Sequence, residues 1–283
     1  MTLVWASGYN GITDPDAQTY IAAVEAADGQ AIEGDVALAI NDFVVGCKDD
    51  GIWDAIKASC ILAGARTLSG ALVPLRGAAP TNTNFVSADY DRETGLKGGN
   101  GKLIDSNRSD AADPLDNFHA SAYVTEVATA LNNGFYIGSI SPAPYTRIQY
   151  GGSNTLFYNR HSTTAIIVSG KPLGFVGFSR DNSSNYDIRM NSNDTVATKT
   201  SASTPSTNNY TVLSSTSNNY VNARLSFYSI GESIDLEQLD NRTTRLMNLI
   251  SYSLASGLPD LSTMDLDAAS YIGAVYRAGG TLS

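Results

Sequence analysis

Beyond about Ala63 the chain keeps to one pattern: short runs of alternating apolar and polar residues recur every eight to twelve positions, separated by Gly, Asn, Ser and Thr. No helical periodicity lies between them. Consecutive strands without crossover helices pair antiparallel, so the pattern selects a β-sandwich and argues against a βαβ architecture. Segments 102–105, 118–124, 134–140, 146–150, 156–159, 165–169, 173–180, 186–191, 211–213 and 223–230 read as strands. The stretch 198–219 is dominated by Ser, Thr and Asn. It offers little apolar surface to offset its ordering entropy and reads as a long hairpin or surface loop. With 283 residues, 42% of them hydrophobic, the chain can bury one large core and a small satellite.

Both flanks are helical. Asp14 followed by Pro15 is a helix start, because the carboxylate can accept orphan N–H groups and proline sits where no N–H is needed. Tyr20, Ile21, Val24 and Ala27, then Val36, Ile40, Phe43 and Val44, recur at helical spacing, with Gly29 and Gly34 punctuating the turn between them. After Gly51, the spacing of Trp53, Ile56 and Cys60 predicts a short further helical segment over 53–59. After Ile230, Ser233 can cap a helix whose Leu236, Leu239, Leu246, Leu249 and Ile250 form one stripe, predicted to pack on the sandwich. The division read from the sequence is a helical module over 1–62, a sandwich with its trailing helix over 63–256, and a C-terminal segment over 257–283.

That last segment repeats the first helix. Asp14, Asp16, Ala17, Tyr20, Ile21, Ala23, Val24, Ala27 and Gly29 recur, shifted by 251 positions, as Asp265, Asp267, Ala268, Tyr271, Ile272, Ala274, Val275, Ala278 and Gly280. A lone amphipathic helix cannot bury its own stripe, so this copy is expected to dock on the N-terminal helices of its own chain or of a neighbour. Tyr20, Val24, Tyr271 and Val275 are the expected module or oligomer contacts.

The formal net charge is −10, from 18 basic and 28 acidic residues. This disfavours neutralising phosphates along a nucleic acid. Residues 1–60 carry ten acidic and two basic side chains while 61–180 carry eight and ten, which implies two differently built regions. Residues 1–16 lack the basic start and apolar run of a signal peptide, and no eighteen apolar residues occur in succession, so neither secretion signal nor membrane insertion is expected. Cys47 and Cys60 lie beside apolar sequence and are expected to be reduced and buried.

Hydrolytic chemistry needs an activated nucleophile, a paired acid and base, or a metal. His119 and His161 stand 42 positions apart in predicted strands with no ligand spacing, and both read as structural or surface residues. Gly98-Gly-Asn-Gly-Lys102 has Leu96 where a phosphate loop needs its first Gly and Leu103 where it needs Ser or Thr; it reads as a hairpin turn. Asp235 and Glu237 sit at a helix start, where acids cap and favour the macrodipole. The expectation is a protein that is not an enzyme and holds no cofactor.

Binding is the alternative. Asp105, Asn107 and Asp110 could offer oxygen ligands to calcium, although a solvated turn explains the run equally, and 181–187 reads the same two ways. Tyrosine numbers 15. Its apolar face and hydrogen-bonding tip suit wet adhesive surfaces and sugar-ring stacking, so Tyr145, Tyr210 and Tyr220, placed near predicted loops, are the candidate ligand contacts. Strands also favour aromatics for packing alone.

Two stretches resemble known families. Residues 14–68, above all Tyr20-Ile-Ala-Ala-Val and the run Ala39-Ile-Asn-Asp-Phe-Val-Val-Gly-Cys-Lys-Asp-Asp-Gly-Ile-Trp-Asp-Ala-Ile-Lys, resemble a helical module of phage-encoded structural proteins. Tyr90-Asp-Arg-Glu-Thr-Gly-Leu and Arg224-Leu-Ser-Phe-Tyr-Ser-Ile-Gly resemble the opening and closing strand regions of a LamG or concanavalin A-like jelly roll. The resemblance implies a virion surface protein of tail-fibre or tail-tip type, assembled in the host cytoplasm. It would contact a host-surface glycan or other virion proteins and form a homo-oligomer, with a trimer favoured. A capsid decoration protein and a polysaccharide depolymerase are the alternatives.

Overall fold

Phe118–Glu126 and Arg224–Gly231 pair antiparallel, in a register that sets Ala122 opposite Tyr228 and Ala120 opposite Ile230. Both strands are buried almost end to end. A strand covered on one face alternates buried with exposed residues, so continuous burial means that both faces are covered. The structure is a computed structural model that describes residues 11–129, 134–139, 145–161, 164–201, 204–216, 219–255 and 258–278.

The two strands sit at the centre of an eight-stranded sheet, here the first sheet. On one side of Phe118–Glu126 lie Gly174–Arg180, Asn185–Met190 and Asn193–Thr198 in turn. The far edge of Arg224–Gly231 is shared by Ile56–Ile61 and by Gly95–Lys97, which pairs in turn with Tyr90–Asp91. The second sheet has seven strands in the order Ile166–Ser169, Asn154–His161, Tyr145–Gly151, Phe135–Ser139, Asn209–Val212, Leu103–Ser109 and Thr81–Thr83. Ser214–Thr216 and Asn219–Tyr220 form a separate ribbon. All pairings are antiparallel, and the mainly β sandwich with helices at both ends is as expected. One core lies between the sheets, with Val124, Val176, Phe178 and Ile230 facing Ile104, Ile137, Ile148 and Phe157.

Helices cover the other face of the first sheet. They are α1 (Pro15–Asp28), α2 (Gly34–Asp49), the single turn α3 (Leu68–Ala71), α4 (Leu236–Leu254) and α5 (Leu266–Arg277). Tyr123, Phe175 and Phe227 point from the sheet into this second core, where Phe43 of α2 meets Phe227 edge to face at 5.6 Å. Arg242 on α4 binds Asp50 beyond α2, and Arg245 binds both Asp42 and Asp267, so three helices are tied by charge as well as by apolar contact. None of the described helices is long and apolar enough to cross a membrane. Cys47 and Cys60 are free and buried, as expected.

Three expectations are corrected. The helical segment over 53–59 is instead a 3-10 turn, Trp53–Ala55, followed by the strand Ile56–Ile61. Its Ala58, Cys60 and Leu62 enter the core between the sheets while Ile56 and Ile61 enter the core under the helices. The glycine-rich run before Lys102 does turn, with Lys102 N–H donating to Gly99 O, but the strands it joins belong to different sheets, so it is not a hairpin. Finally, α5 docks on its own chain, against α4 rather than the N-terminal helices.

The two copies of the repeat bury opposite faces. In α1, capped by Asp14, the buried residues include Ala17, Tyr20, Ile21 and Val24. In α5, capped in the same way by Asp265, they are Ala269, Ser270 and Gly273, while Tyr271 is 71% exposed and Val275 half-buried. These positions correspond to Gln18, Thr19 and Ala22, all exposed in α1 and all different between the copies. Gly273 explains the choice, because a Cβ there would lie 1.8 Å from the Asn248 carbonyl oxygen of α4. Tyr20 and Val24, expected as contact residues, are thus enclosed by their own chain. Ile21→Ala should cost about 2–5 kcal/mol of stability, whereas Tyr271→Ala should stay within about 0.5 kcal/mol of the parent. Chemical denaturation of the two variants checks this; equal losses would show that the two helix faces are equivalent.

Candidate functional site

The second sheet has one face free of the sandwich core. Along Tyr145–Gly151, Ile148 points inward, so Tyr145, Arg147 and Gln149 point outward. Arg147 lies directly opposite Tyr158 on one neighbouring strand and Gly138 on the other. A Cβ on Gly138 would stand 2.2 Å from Arg147 Cβ, so this glycine opens the notch the arginine occupies. The guanidinium carbon lies 4.1 Å from the Tyr145 ring centroid, 4.3 Å from Tyr158 and 4.8 Å from Phe135. Tyr145 and Tyr158 meet edge to face at 5.6 Å. Gln149, opposite Phe135, is buried, and its Oε1 accepts no hydrogen bond among the described residues. The result is a cluster in which Phe135, Tyr158 and Gln149 are buried and back the half-exposed Tyr145 and Arg147. A half-exposed tyrosine beside a guanidinium can stack a sugar ring and bond its substituents.

Of the expected ligand contacts, the structure brings Tyr145 into this patch. Tyr220 is half-buried on the small ribbon, and its backbone passes Gly134, beside Phe135. Tyr210 is a correction: it is fully buried and its hydroxyl donates to Asp110 at 2.8 Å. Arg147, Tyr158, Phe135 and Gln149 were not singled out as candidates. The signals for them were the alternation around Ile148 and a glycine inside the neighbouring strand.

Asp105, Asn107 and Asp110 have separate engagements. Asp105 accepts from Asn107 N–H, and the Asn107 amide donates to Ala79 O and Thr81 Oγ1. Asp110 is fully buried, accepting from Arg160 Nε, Thr146 Oγ1, Tyr210 and Ser206 N–H. Arg160, equally buried, also donates to the carbonyls of Asp110, Asp113 and Pro114 and lies 3.7 Å from the Phe118 ring centroid. Among the described residues no three His, Cys, Asp or Glu side chains gather as a metal site.

A second concavity of about 470 Å³ opens between the edge strands of the first sheet and the start of α4. Asp181, Asp187, Asp194, Asp235 and Glu237 line it. Asp235 caps α4 by accepting from Gln238 N–H, as expected, and Asp194 binds Arg189. Burial, with the charges of Asp181, Asp194 and Asp235, holds the Asp187 carboxyl above its ordinary range.

His119 is enclosed beneath the same helix start. Its Nδ1 lies 2.5 Å from Glu232 O and its Nε2 lies 2.7 Å from Ser229 Oγ. A carbonyl can only accept, so Nδ1 carries the proton and Nε2 accepts from the serine. The side chain of His161 lies outside the described residues.

Neither a known protein family nor a curated relative matches this sequence. Among solved structures, the receptor binding domain of botulinum neurotoxin D matches with a TM-score of 0.50 at 11% identity, covering 66% of this chain and 52% of that one. A W1238A mutant of HCR/D gives the same TM-score and identity, over 66% of this chain and 51% of the other. Domain 4 of the arabinanase AbnA from Geobacillus stearothermophilus, solved with arabinotriose, matches with a TM-score of 0.40 at 11% identity over 59% of this chain and 82% of its own. The chain therefore spans about half the length of the first two. At this identity the likeness is one of fold, a β-sandwich.

Burial lowers the pKa of His119 from 6.5 to about 4. The unfolded chain takes up this proton below pH 6.5 and the folded chain only near pH 4, so the stability held by the neutral ring is complete above pH 6.5 and lost on descending to about pH 4. The loss is on the order of 3 kcal/mol. Asp50, held low by Arg242, adds its own loss at lower pH. Urea unfolding from pH 7 to 4 should show this slope, and His119→Gln should flatten it; an unchanged slope in the variant would remove His119 as its source.

Proposed function

We propose that this chain is a non-enzymatic adhesion protein of a bacteriophage particle, which holds a host-surface glycan on the outer face of its second sheet. The observation that supports adhesion most directly is the cluster of Phe135, Tyr145 and Tyr158 around Arg147. Aromatic side chains set in strands lose little entropy on binding and present broad apolar faces to sugar rings. The similar solved structures share only the sandwich fold, which permits many ligands. The virion setting rests on the resemblance of residues 14–68 to phage helical modules, and with it the contacts to other virion proteins and the homo-oligomer, a trimer by that resemblance.

A second reading, a polysaccharide depolymerase, draws on the acidic groove. There Asp187, its carboxyl raised by desolvation and by neighbouring acids, faces other carboxylates. The commitments of Asp194 to Arg189 and of Asp235 to the α4 cap weigh against it. A third, capsid decoration, would place the protein on the shell and need no glycan.

On a panel of bacterial surface oligosaccharides the chain should be retained without releasing reducing ends. Tyr145→Ala should weaken retention about tenfold at an unchanged melting temperature. Full retention by that variant, or cleavage of the polysaccharide that Asp187→Asn abolishes, would sink the adhesion reading. Electron-microscopic localisation on intact particles distinguishes tail from shell.

A further inference from the structure

We infer that the aromatic patch recognises a carboxylate-bearing sugar, with Arg147 as the group that binds the acid. This rests on the adhesion reading above and specifies its ligand class. Every other arginine of the chain donates at least one hydrogen bond within the described residues, from Arg66 and Arg92 on Glu33 to Arg277 on Tyr123. Among the same residues Arg147 donates none. Among the described residues its Nε is buried without an acceptor, and the guanidinium packs on the rings of Phe135, Tyr145 and Tyr158. Leaving a partly desolvated charged donor unbonded costs free energy that folding normally avoids, and ring faces repay only part of it.

Among the described residues none is placed to supply an anion to Arg147. All Asp and Glu residues lie among the described positions, and none is within ion-pair distance of Arg147. An external acid can supply that partner. The shape of the group selects among anions. A guanidinium is a planar fork matched to a two-oxygen acid, so one such group suits a monoanion better than a phosphate, which several cations commonly share. The chain's net charge of −10 also disfavours a densely charged polyanion. A saccharide with one acidic residue fits both limits. Its ring would lie along Tyr145, the half-exposed ring of the cluster.

The test titrates the full-length protein with four trisaccharides by calorimetry: one ending in glucuronic acid, its methyl ester, the glucose-ended parent and a 6-sulfated form. The acid should bind roughly 10- to 100-fold more tightly than the ester or the parent. Arg147→Gln should abolish that preference, Arg147→Lys should retain a reduced part of it, and melting curves of both variants should match the wild type. The ester comparison uses unmodified protein, so a variant that folds poorly leaves the test intact. Equal binding of acid, ester and parent would overturn the carboxylate assignment while leaving glycan adhesion standing. Tighter binding of the sulfated sugar would overturn it too. Failure of all four, together with failure on the wider oligosaccharide panel, would remove both readings.

Discussion

The pairing of Phe118–Glu126 with Arg224–Gly231 is the constraint on which the other elements depend. Residues about a hundred positions apart are joined at the middle of a sheet covered on both sides. Because Tyr123 and Phe227 serve the helical core while Val124 and Ile230 serve the core between sheets, one register supports two cores at once. A shift of one residue would exchange the two sets and disrupt both. It also decides where binding can occur. With the first sheet enclosed, the broad strand surface left for a ligand is the outer face of the second sheet.

The ends of the sandwich are fixed by polar groups. Asp110 and Arg160 are buried together, and their remaining donors and acceptors are filled by Thr146, Tyr210 and the carbonyls of the turn after Leu103–Ser109. Arg180 does similar service, bonding Asn159 and the carbonyls of Asn182 and Lys199. Buried pairs of this kind add little net stability over an apolar replacement, yet they are costly to break, and they tolerate few alternative arrangements. They hold loops that have little apolar surface of their own. The contrast with Arg147 is chemical: Arg160 on the second sheet and Arg180 on the first are buried and bonded to oxygen acceptors, whereas Arg147 is half-buried against aromatic rings.

Much of this was legible in the sequence, for physical reasons that also explain the rest. The strands around Phe118, Ile148, Phe178 and Phe227 were readable because alternation and turn residues are local properties. Ile56–Ile61 was not, because Trp53, Ile56 and Cys60 happen to fit a helical face. The repeat from Asp265 revealed a helix and its cap but not its environment; Gly273, which differs between the copies, sets the docking face. Asp110 and Tyr210 looked like surface ligands because Asp and Tyr usually are partly exposed, and only the partner Arg160, fifty residues on, shows otherwise. The Arg147 patch depends on cross-strand register between three strands, which no single segment encodes.

The distribution of charge links the fold to the proposed activity. The carboxylates of the groove line the edge of the first sheet and the start of α4, while the patch around Arg147 lies on the opposite layer. Within a Debye length of about 8 Å in physiological salt, an anion at Arg147 would sense that guanidinium and its rings far more than the acids across the sandwich. A chain of net charge −10 can therefore present a locally cationic surface, provided that no carboxylate of its own reaches the site. Gly138 is the small residue that makes the arrangement possible: a side chain there would lift Arg147 out of its notch and away from the rings that hold the guanidinium at the surface.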